Sequence, residues 1–297
     1  MRAVRFHGRG DIRVDEIDEP VCGEGQVKIR PAFVGICGSD LHEYLAGPIT
    51  IPSTPHPITG GSVPVTLGHE FSGVIEQVGD AGGLSDHVVV GEKHAILLPE
   101  GFPLDLGALV EPLTVAWHAV SRASVRPDDT VLVIGGGPIG LAVIQVLKAR
   151  GIKSVIVSEV SSQRKQFARE LGAMEVIDPR VDDTVASVRR MTAGEGAAIA
   201  FECSGVQVGL DTAVHAIRAR GTVTIVSLWE EKPKIDALDL VLHEKHVIGA
   251  VICDDGKLSP RAMITSKIQM EDVVAKGFKA LIDERDKHVK ILVEVSA

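Results

Sequence analysis

A glycine-rich turn between an apolar strand and an apolar helix constrains the fold of this chain more than any other feature. Residues 131–134 read Val-Leu-Val-Ile, and Gly135-Gly136-Gly137-Pro138-Ile139-Gly140 follows directly. In a Gly-x-Gly-x-x-Gly turn the glycines permit a tight turn, a close approach of the backbone to a pyrophosphate, and close packing of the helix on the sheet. Pro138 suits the first helical turn, where its missing N–H is not needed. The pattern therefore predicts a dinucleotide-binding unit.

Strand and helix patterns alternate from about residue 127 onwards. Such alternation is typical of an α/β fold with a doubly wound parallel sheet, which is the fold class that we predict for this part. The predicted strands are 130–134, 154–158, 175–177, 197–201, 222–227 and 247–252, and the predicted helices are 138–150, 161–171, 182–191 and 208–217. A further helix over 271–278 and a strand over 289–295 are expected near the end of the chain.

Four features beyond the glycine turn are candidate cofactor contacts. Glu159 follows the second strand, 24 residues after Gly135, and can bind both hydroxyls of an adenosine ribose and repel a 2′-phosphate, which favours NAD over NADP. The alternative is a solvated acid at a strand end. Arg164 either stacks near the adenine or neutralises a phosphate, or it is simply a solvated residue on an exposed helix. The segments 202–205 and 226–228, which end two further strands, contain Cys203, Val226 and Leu228, and we expect them near the nicotinamide and its ribose.

The first hundred residues consist of short apolar runs broken by glycine and proline, which predicts a small β-rich domain. Residues 46–64 contain five prolines and three glycines and are expected to form an irregular surface loop. Cys37 precedes Gly38-Ser39-Asp40, which we interpret as a flexible turn that presents the sulfur to a cleft.

A cysteine, a histidine and an acid in this part of the chain are candidate metal ligands. The thiolate of Cys37, the imidazole of His69 and the carboxylate of Glu70 suit a catalytic zinc that keeps an open position. His69 and Glu70 are neighbours, so on a regular strand they would point to opposite faces, and both can ligate only if the backbone turns at Gly68. From spacing alone, structural roles for Cys37 and His69 are the alternative.

Composition narrows the classes of partner. The net charge of −9 disfavours nucleic acid and acidic membrane surfaces, so a small-molecule substrate is expected. No apolar run reaches the roughly 18 residues of a membrane span, and the charged start of the chain is unlike a secretory signal, so we expect a cytoplasmic protein with no membrane partner. The four cysteines lack zinc-knuckle spacing and are not expected to form a disulfide framework.

Four segments in order resemble the zinc-dependent medium-chain dehydrogenase/reductase family, in its polyol branch. They are residues 35–44 (Gly-Ile-Cys-Gly-Ser-Asp-Leu-His-Glu-Tyr), 67–73 (Leu-Gly-His-Glu-Phe-Ser-Gly), 108–118 (Ala-Leu-Val-Glu-Pro-Leu-Thr-Val-Ala-Trp-His) and the turn 135–140. The loop over 47–57 is similar to the longer loop of butanediol dehydrogenases within that branch.

The resemblance implies a catalytic zinc, an NAD cofactor and a division of roles among named residues. Zinc is expected on Cys37, His69 and Glu70, with Glu111 either ligating it directly or supporting a ligand. Ser39 and His42 are expected to relay the proton, and Tyr44 and Trp117 to shape the substrate pocket, the alternatives being ordinary loop and core positions. The implied reaction oxidises a secondary alcohol or vicinal diol to the ketone, with 2,3-butanediol and acetoin as the sharpest expectation and sorbitol- or threonine-type substrates as the alternative.

The resemblance also implies a domain organisation. We expect a GroES-like catalytic domain over 1–115, a Rossmann NAD-binding domain over 116–256 and a return to the catalytic domain over 257–297, with the active site in the cleft between the domains. The resemblance to the family also implies a homodimer or a homotetramer whose subunits are joined along the Rossmann sheets.

Two places depart from the family pattern. At 77–85 the chain lacks some fifty residues that family members usually carry, which often include a structural-zinc lobe, and a second shortening falls at 253–257. We therefore hypothesise that these residues are the ordered parts of a longer chain. Two other classes stay open: a zinc-free reductase of quinones or enones, and an inactive dinucleotide-binding module with a shortened catalytic domain.

Overall fold

The chain forms two compact units, each with its own apolar core. The computed structural model describes residues 1–55, 61–77, 84–250 and 263–295. The first unit consists of Met1–Glu111 and Ile264–Ala297, and the second of Pro112–Met263. Of the two places where the sequence departs from the family pattern, residues 78–83 of the first (77–85) and the whole of the second (253–257) lie outside the described residues.

The strands of the described residues belong to three sheets. In chain order they are β1 (Arg2–Gly8), β2 (Asp11–Glu16), β3 (Gln26–Gly35), β4 (Val65–Thr66), β5 (Glu70–Gln77), β6 (Val88–Gly91), β7 (Thr130–Ile134), β8 (Ser154–Ser158), β9 (Glu175–Ile177), β10 (Ala197–Glu202), β11 (Ile217–Ile225), β12 (His246–Gly249), β13 (Ile264–Gln269) and β14 (Lys290–Glu294).

The helices lie mostly in the second half of the chain. They are α1 (Gly38–Ala46), α2 (Leu104–Gly107), α3 (Val110–Arg122), α4 (Pro138–Ala149), α5 (Ser162–Glu170), α6 (Thr184–Met191), α7 (Gln207–Ala216), α8 (Ala237–Leu242) and α9 (Lys279–Asp283). Short 3₁₀ turns cover Glu92–His94 and Met270–Asp272, and a π-helical segment covers Val273–Phe278.

The first unit is β-rich, as the sequence predicts. One sheet has the order β2-β1-β4, and the other has the order β13-β14-β3-β5 with β6 also paired to β3. The long strand β3 pairs antiparallel with β14, β5 and β6. The core of this unit buries apolar side chains, among them Phe6, Val34, Leu84, Phe278 and Ile291.

The prediction of a flexible turn after Cys37 is wrong, because helix α1 begins at Gly38. The N–H of Cys37 donates to Asp40 Oδ2 at 2.9 Å, so the acid three residues into the helix caps its start. Glycine at 38 and serine at 39 hide this signal, since both residues are also common in turns.

The second unit is a six-stranded parallel sheet with the order β12-β11-β10-β7-β8-β9. Strands β7 and β8 are continuous apolar runs, as expected of strands covered by helices on both faces. The chain runs from β7 outward through β8 and β9, and then returns to place β10 on the other side of β7. A topological switch point therefore lies between β7 and β10, where open α/β sheets bind ligands.

Most predicted elements of this unit are confirmed. Strands β7, β8 and β9 occupy the predicted residues. The helix starts differ by one or two residues because polar side chains cap them: Ser161 accepts from the N–H of Arg164, and Asp183 accepts from that of Ala186. Strand β11 begins earlier than predicted, since Ile217 already pairs with Ala197.

The C-terminal predictions are confirmed in part. The final strand is β14, and the predicted helix over 271–278 is instead a 3₁₀ turn and a π-helical segment that lead into α9. The predicted strand over 247–252 corresponds to β12, and its last two residues lie outside the described ranges. No helix in the described ranges is long and apolar enough to cross a bilayer.

Candidate active site

The three candidate zinc ligands converge in the first unit. Strand β3 ends at Gly35, two residues before Cys37, and Gly35 pairs in register with Glu70, the first residue of β5. The potential ligand atoms of Cys37, His69 and Glu70 all lie within 4.8 Å of one another. Cys37 is half-buried, His69 is exposed and Glu70 is buried, so the cluster is open on the His69 side.

The backbone at Gly68 makes this convergence possible. Gly68 has a φ of +96°, in the region that favours glycine, and a Cβ there would lie 2.6 Å from Cγ of Leu84. The chain turns at this position, just before β5 begins. His69 and Glu70 therefore both reach the same cluster, which two neighbours on a regular strand would not do.

Helix α1 orients the other side of the cluster. Asp40 caps the helix through the N–H of Cys37, and its Oδ1 lies 3.9 Å from Nδ1 of His69. Ser39 Oγ lies 3.4 Å from Nε2 of the same histidine. His42, which is half-buried, follows Ser39 by three residues and so shares one face of the helix with it.

A buried lysine that sequence reasoning missed completes the cluster. Lys290 Nζ donates to both carboxylate oxygens of Glu70, each at 2.7 Å, and to the carbonyl of Ile36 at 3.2 Å. Lysine is almost never fully buried without a partner. The available signal was a lysine inside the apolar run Val289-Lys290-Ile291-Leu292-Val293.

Burial and like charges raise the pKa values of several acids at this cluster. Burial, followed by the negative charge of Glu70, raises the pKa of the Cys37 thiol to about 12. Burial raises the pKa of Asp40 to about 6, against the opposing effect of His69. Burial and then the charge of Glu70 also raise the pKa of Glu111, which is therefore electrostatically coupled to the cluster. Among the described residues, Glu111 is not one of the side chains whose ligand atoms converge.

The donor set fits zinc. A sulfur, an imidazole nitrogen and a carboxylate oxygen form a three-ligand set that leaves one tetrahedral position open, as catalytic zinc sites do. A thiol whose pKa is raised by burial is deprotonated when it binds a divalent cation, because the ion is the largest charge in the site. The carboxylate of Glu70 is shared with Lys290, so any ligation by Glu70 takes place beside a fixed ammonium group.

Two aromatic side chains that were expected to shape the pocket have other contacts. Tyr44 packs against Phe278 with ring centroids 5.6 Å apart and lies at the edge of the first core. The guanidinium carbon of Arg150 lies 4.4 Å from the ring centroid of Trp117. Arg150 caps the C-terminal end of α4, the opposite end from the glycine turn.

The second unit contains the glycine turn, built as the motif predicts. Gly135 follows β7 with a φ of +91°, and Pro138 and Ile139 open α4, with Pro138 in its first turn. A Cβ at Gly140 would collide with the carbonyl oxygen of Gly135, so the helix can approach the turn only with glycine there. The backbone N–H groups at the start of α4 are available to a pyrophosphate.

Glu159 and Arg164 both lie beside this turn. Glu159 is 5% exposed and accepts from the N–H of Gly136 at 2.5 Å and from the N–H of Ser161 at 2.7 Å. A Cβ at Gly136 would lie 3.5 Å from Cβ of Arg164, and a Cβ at Gly137 would lie 3.8 Å from its Nη1. The acid is therefore a fixed part of the turn, and the arginine stem covers the turn.

The segments that follow β10 and β11 contain the remaining candidate cofactor residues. Cys203 comes directly after β10, and its N–H donates to the carbonyl of Ile134, the last residue of β7. Val226 follows β11 and is buried, whereas Leu228 is 42% exposed. A Cβ at Gly135 would lie 3.2 Å from Cα of Ser204, so the first of these segments flanks the glycine turn.

Comparison with known proteins identifies the class to which this fold and these residues belong. The family model of the alcohol dehydrogenase GroES-like domain matches residues 23–100, and that of the zinc-binding dehydrogenase matches residues 138–265. The chain belongs to the zinc-dependent medium-chain dehydrogenase/reductase family, whose cofactors are zinc and NAD(P).

Within that family the similarity extends over whole chains. The (R,R)-butanediol dehydrogenase of Neisseria gonorrhoeae is 37% identical, and that of Bacillus subtilis is 38% identical, each alignment covering 99% of both proteins. The crystal structure of 2R,3R-butanediol dehydrogenase from Bacillus subtilis superposes with a TM-score of 0.89 over 99% of both chains. A Sinorhizobium meliloti protein described as a zinc-binding dehydrogenase and bound to NADP is 25% identical, with a TM-score of 0.86 over 99% of this chain and 98% of that one.

The relatives are longer within the aligned region. The alignment with the Neisseria gonorrhoeae protein extends over 351 positions, whereas this chain has 297 residues. Residues of the relative therefore lack counterparts in this chain.

Proposed function

We propose that this protein oxidises a secondary alcohol or vicinal diol to the ketone with NAD, and that 2,3-butanediol and acetoin are its substrate pair. The observation that carries the proposal is the convergence of Cys37, His69 and Glu70 within 4.8 Å in a chain that also has the dinucleotide turn. The substrate pair is supported by two relatives named (R,R)-butanediol dehydrogenase at 37% and 38% identity.

Cys37, His69 and Glu70 would hold the zinc. When bound, zinc supplies Lewis-acid chemistry that lowers the pKa of a substrate hydroxyl. Lys290 neutralises Glu70 and restricts its rotation, because it bonds both carboxylate oxygens. In this proposal Glu111, whose pKa is raised, contributes to the electrostatics of the site. The alternative proposal is that Glu111 ligates the zinc directly.

The hydroxyl of Ser39 is the first proton acceptor in the proposed relay. Its oxygen lies 3.4 Å from Nε2 of His69 and is therefore beside the proposed zinc ligands. A hydroxyl suits a relay because it can accept one proton and donate another. His42, on the same face of α1, passes the proton on in this scheme. When bound, the nicotinamide would supply the acceptor for the hydride of the carbinol carbon.

NAD is the proposed dinucleotide rather than NADP. The support is Glu159, a nearly buried acid at the end of β8, where the adenosine ribose binds in this fold. A carboxylate there binds ribose hydroxyls and repels a 2′-phosphate. Arg164, which covers the turn, is proposed to contact the adenine or a phosphate.

Domain limits, assembly and location belong to the same proposal. The proposed domains are a catalytic domain over 1–115 with 257–297 and an NAD-binding domain over 116–256. A homodimer or homotetramer is proposed because members of the family usually form such assemblies.

A cytoplasmic location is supported by the free thiols of Cys22, Cys37 and Cys203, which suit a reducing compartment.

A steady-state screen tests the proposal. We expect NADH formation from 2,3-butanediol to exceed that from sorbitol and threonine, with NADP a poorer acceptor. Cys37→Ala should abolish turnover and leave NADH affinity unchanged, whereas the matched control Cys22→Ala should keep both. Dinucleotide binding by the wild-type protein without oxidation of any alcohol in the panel would refute the proposal and favour the inactive binding module.

A further inference from the structure

Among the described residues, Glu202, the last residue of β10, is the most buried acid that the proposed reaction does not use. It is 0% exposed. Its Oε1 accepts from the backbone N–H groups of Ser204 at 2.8 Å and Gly205 at 3.1 Å, and from the hydroxyl of Ser204. Its Oε2 accepts from the hydroxyl of Ser227. One carboxylate thus ties together the segment after β10 and the segment after β11.

The backbone of the same residue strengthens this connection. The carbonyl oxygen of Glu202 accepts from the N–H of Val226 at 2.9 Å and from that of Ser227 at 3.3 Å. The two segments also touch directly, because a Cβ at Gly205 would lie 2.7 Å from the carbonyl oxygen of Leu228. Glu202 therefore joins the two segments through both its side chain and its backbone, beside their direct contact.

The location of Glu202 gives the connection a functional meaning. Its register partner on the neighbouring strand is Ile134, which directly precedes the glycine turn, and Ile134 is flanked on its other side by Ser158. Glu159, proposed to bind the adenosine ribose, follows Ser158. Glu202 thus occupies the corresponding position on the other side of the switch point, where the second half of a dinucleotide binds in this fold.

A buried carboxylate is costly unless its acceptors are satisfied. Within the part of the chain that the structure describes, Glu202 forms no ion pair, and N–H and hydroxyl donors compensate its carboxylate. All the donors come from the two segments that it connects, so the carboxylate has no exposed acceptor left for a ligand. Its role is therefore indirect.

We propose that Glu202 is a positioning residue that fixes the two segments as a rigid seat for the nicotinamide half of the cofactor. The inference rests on the proposed function in that the ligand is a nicotinamide dinucleotide. It specifies that Glu202 affects the nicotinamide half only, because the adenosine half is bound on the other side of the switch point.

Two ligands separate this role from a general structural one. NADH contains both halves of the cofactor, whereas ADP-ribose lacks the nicotinamide. Ser227→Ala removes only the side-chain hydrogen bond from the second segment to Glu202 and keeps the backbone bonds, whereas Glu202→Gln disturbs the side-chain bonds to both segments. We expect the Kd of NADH to rise about tenfold in Ser227→Ala and further in Glu202→Gln, while the Kd of ADP-ribose changes less than about twofold.

A neighbouring hydroxyl provides the matched control. Thr224 lies in β11, is 0% exposed, and has no hydrogen-bond partner for Oγ1 among the described residues. Thr224→Val removes a buried hydroxyl from the same strand without touching the connection, so both affinities should stay at the wild-type values. If Glu202→Gln does not fold, Ser227→Ala decides the question.

Each other outcome overturns the inference. Equal loss of affinity for NADH and ADP-ribose would mean that Glu202 supports the whole unit, and unchanged affinity for both would mean that the connection is irrelevant to binding. The reaction is tested separately. If the wild-type protein binds NADH but oxidises no diol, the proposed function is refuted. The changes in the Kd values of NADH and ADP-ribose between variant and wild type would still decide the role of Glu202.

Discussion

Lys290 donates to both carboxylate oxygens of Glu70, each at 2.7 Å, and both side chains are 1% exposed. Glu70 opens β5 and Lys290 opens β14, the two strands that flank the end of β3. A fixed cation thus lies against the carboxylate of the zinc-binding cluster. Its effect on stability should depend on whether the metal is present.

Lys290→Met should destabilise the metal-free protein by about 3–5 kcal/mol, because it leaves Glu70 buried without a counter-charge. With zinc bound, the metal compensates the same carboxylate, so the loss should be smaller. Denaturant unfolding of the zinc-free and zinc-loaded forms measures both values, with Lys290→Arg as the charge-retaining control. An equal loss in the two forms would show that Glu70 and zinc are uncoupled.

Gly35→Ala should weaken zinc binding by about tenfold, in the range found when groups that orient metal ligands are changed. A Cβ at Gly35 would collide with Oε2 of Glu70, so the carboxylate must move out of the cluster. Zinc affinity measured by competition with a chelator tests this. Gly8→Ala is the control, because a Cβ at that strand glycine meets nothing within 4 Å. Wild-type affinity in Gly35→Ala would contradict the assigned position of Glu70.

Glu159→Gln should reduce the preference for NAD over NADP, expressed as the ratio of their kcat/KM values, by about tenfold. The substitution removes the charge that repels a 2′-phosphate and weakens the bonds that Glu159 accepts from Gly136 and Ser161. Glu170→Gln, an exposed acid at the end of α5, is the matched control. An unchanged preference would show that Glu159 does not determine the choice between NAD and NADP.

The ion pair between Arg2 and Asp86 should make the free energy of unfolding depend on pH in the acidic range. Burial opposes the effect, but the hydrogen bonds from the side chain and the N–H of Arg2 lower the pKa of Asp86 overall. A carboxyl with a lowered pKa contributes stability that is present above its unfolded pKa of about 3.9 and is lost as the pH falls through its folded value. Asp86→Asn should therefore flatten the decline in stability below about pH 4. Denaturant midpoints across this range, followed by circular dichroism, check it, and an unchanged decline would contradict it.

Local patterns were sufficient to predict much of the second unit. Strands β7 and β8 are continuous apolar runs, and glycines and caps mark where α4 and α5 begin, so their limits follow from the sequence. Helix α1 was missed because its signal is one acid, Asp40, that caps the N–H of Cys37. Helix α3, which has an apolar face, was also not anticipated.

The site could be predicted only as a set of residue types. Convergence of Cys37, His69 and Glu70 depends on the backbone turn at Gly68, which the sequence permits but does not require. Lys290 is 220 positions from Glu70, and only the pairing of β14 and β5 with β3 brings the two together. The role of Glu202 does not follow from the sequence, because its hydrogen bond from Ser227 joins the end of β10 to the segment that follows β11.

The most direct test of the central claim is the rate of NADH formation from (R,R)-2,3-butanediol before zinc removal, after removal by a chelator, and after zinc is restored. We expect turnover in the zinc-loaded protein, its loss with the metal, and its recovery when one zinc per chain is returned to the Cys37 cluster. Turnover that persists in a protein shown to contain no zinc would contradict the account.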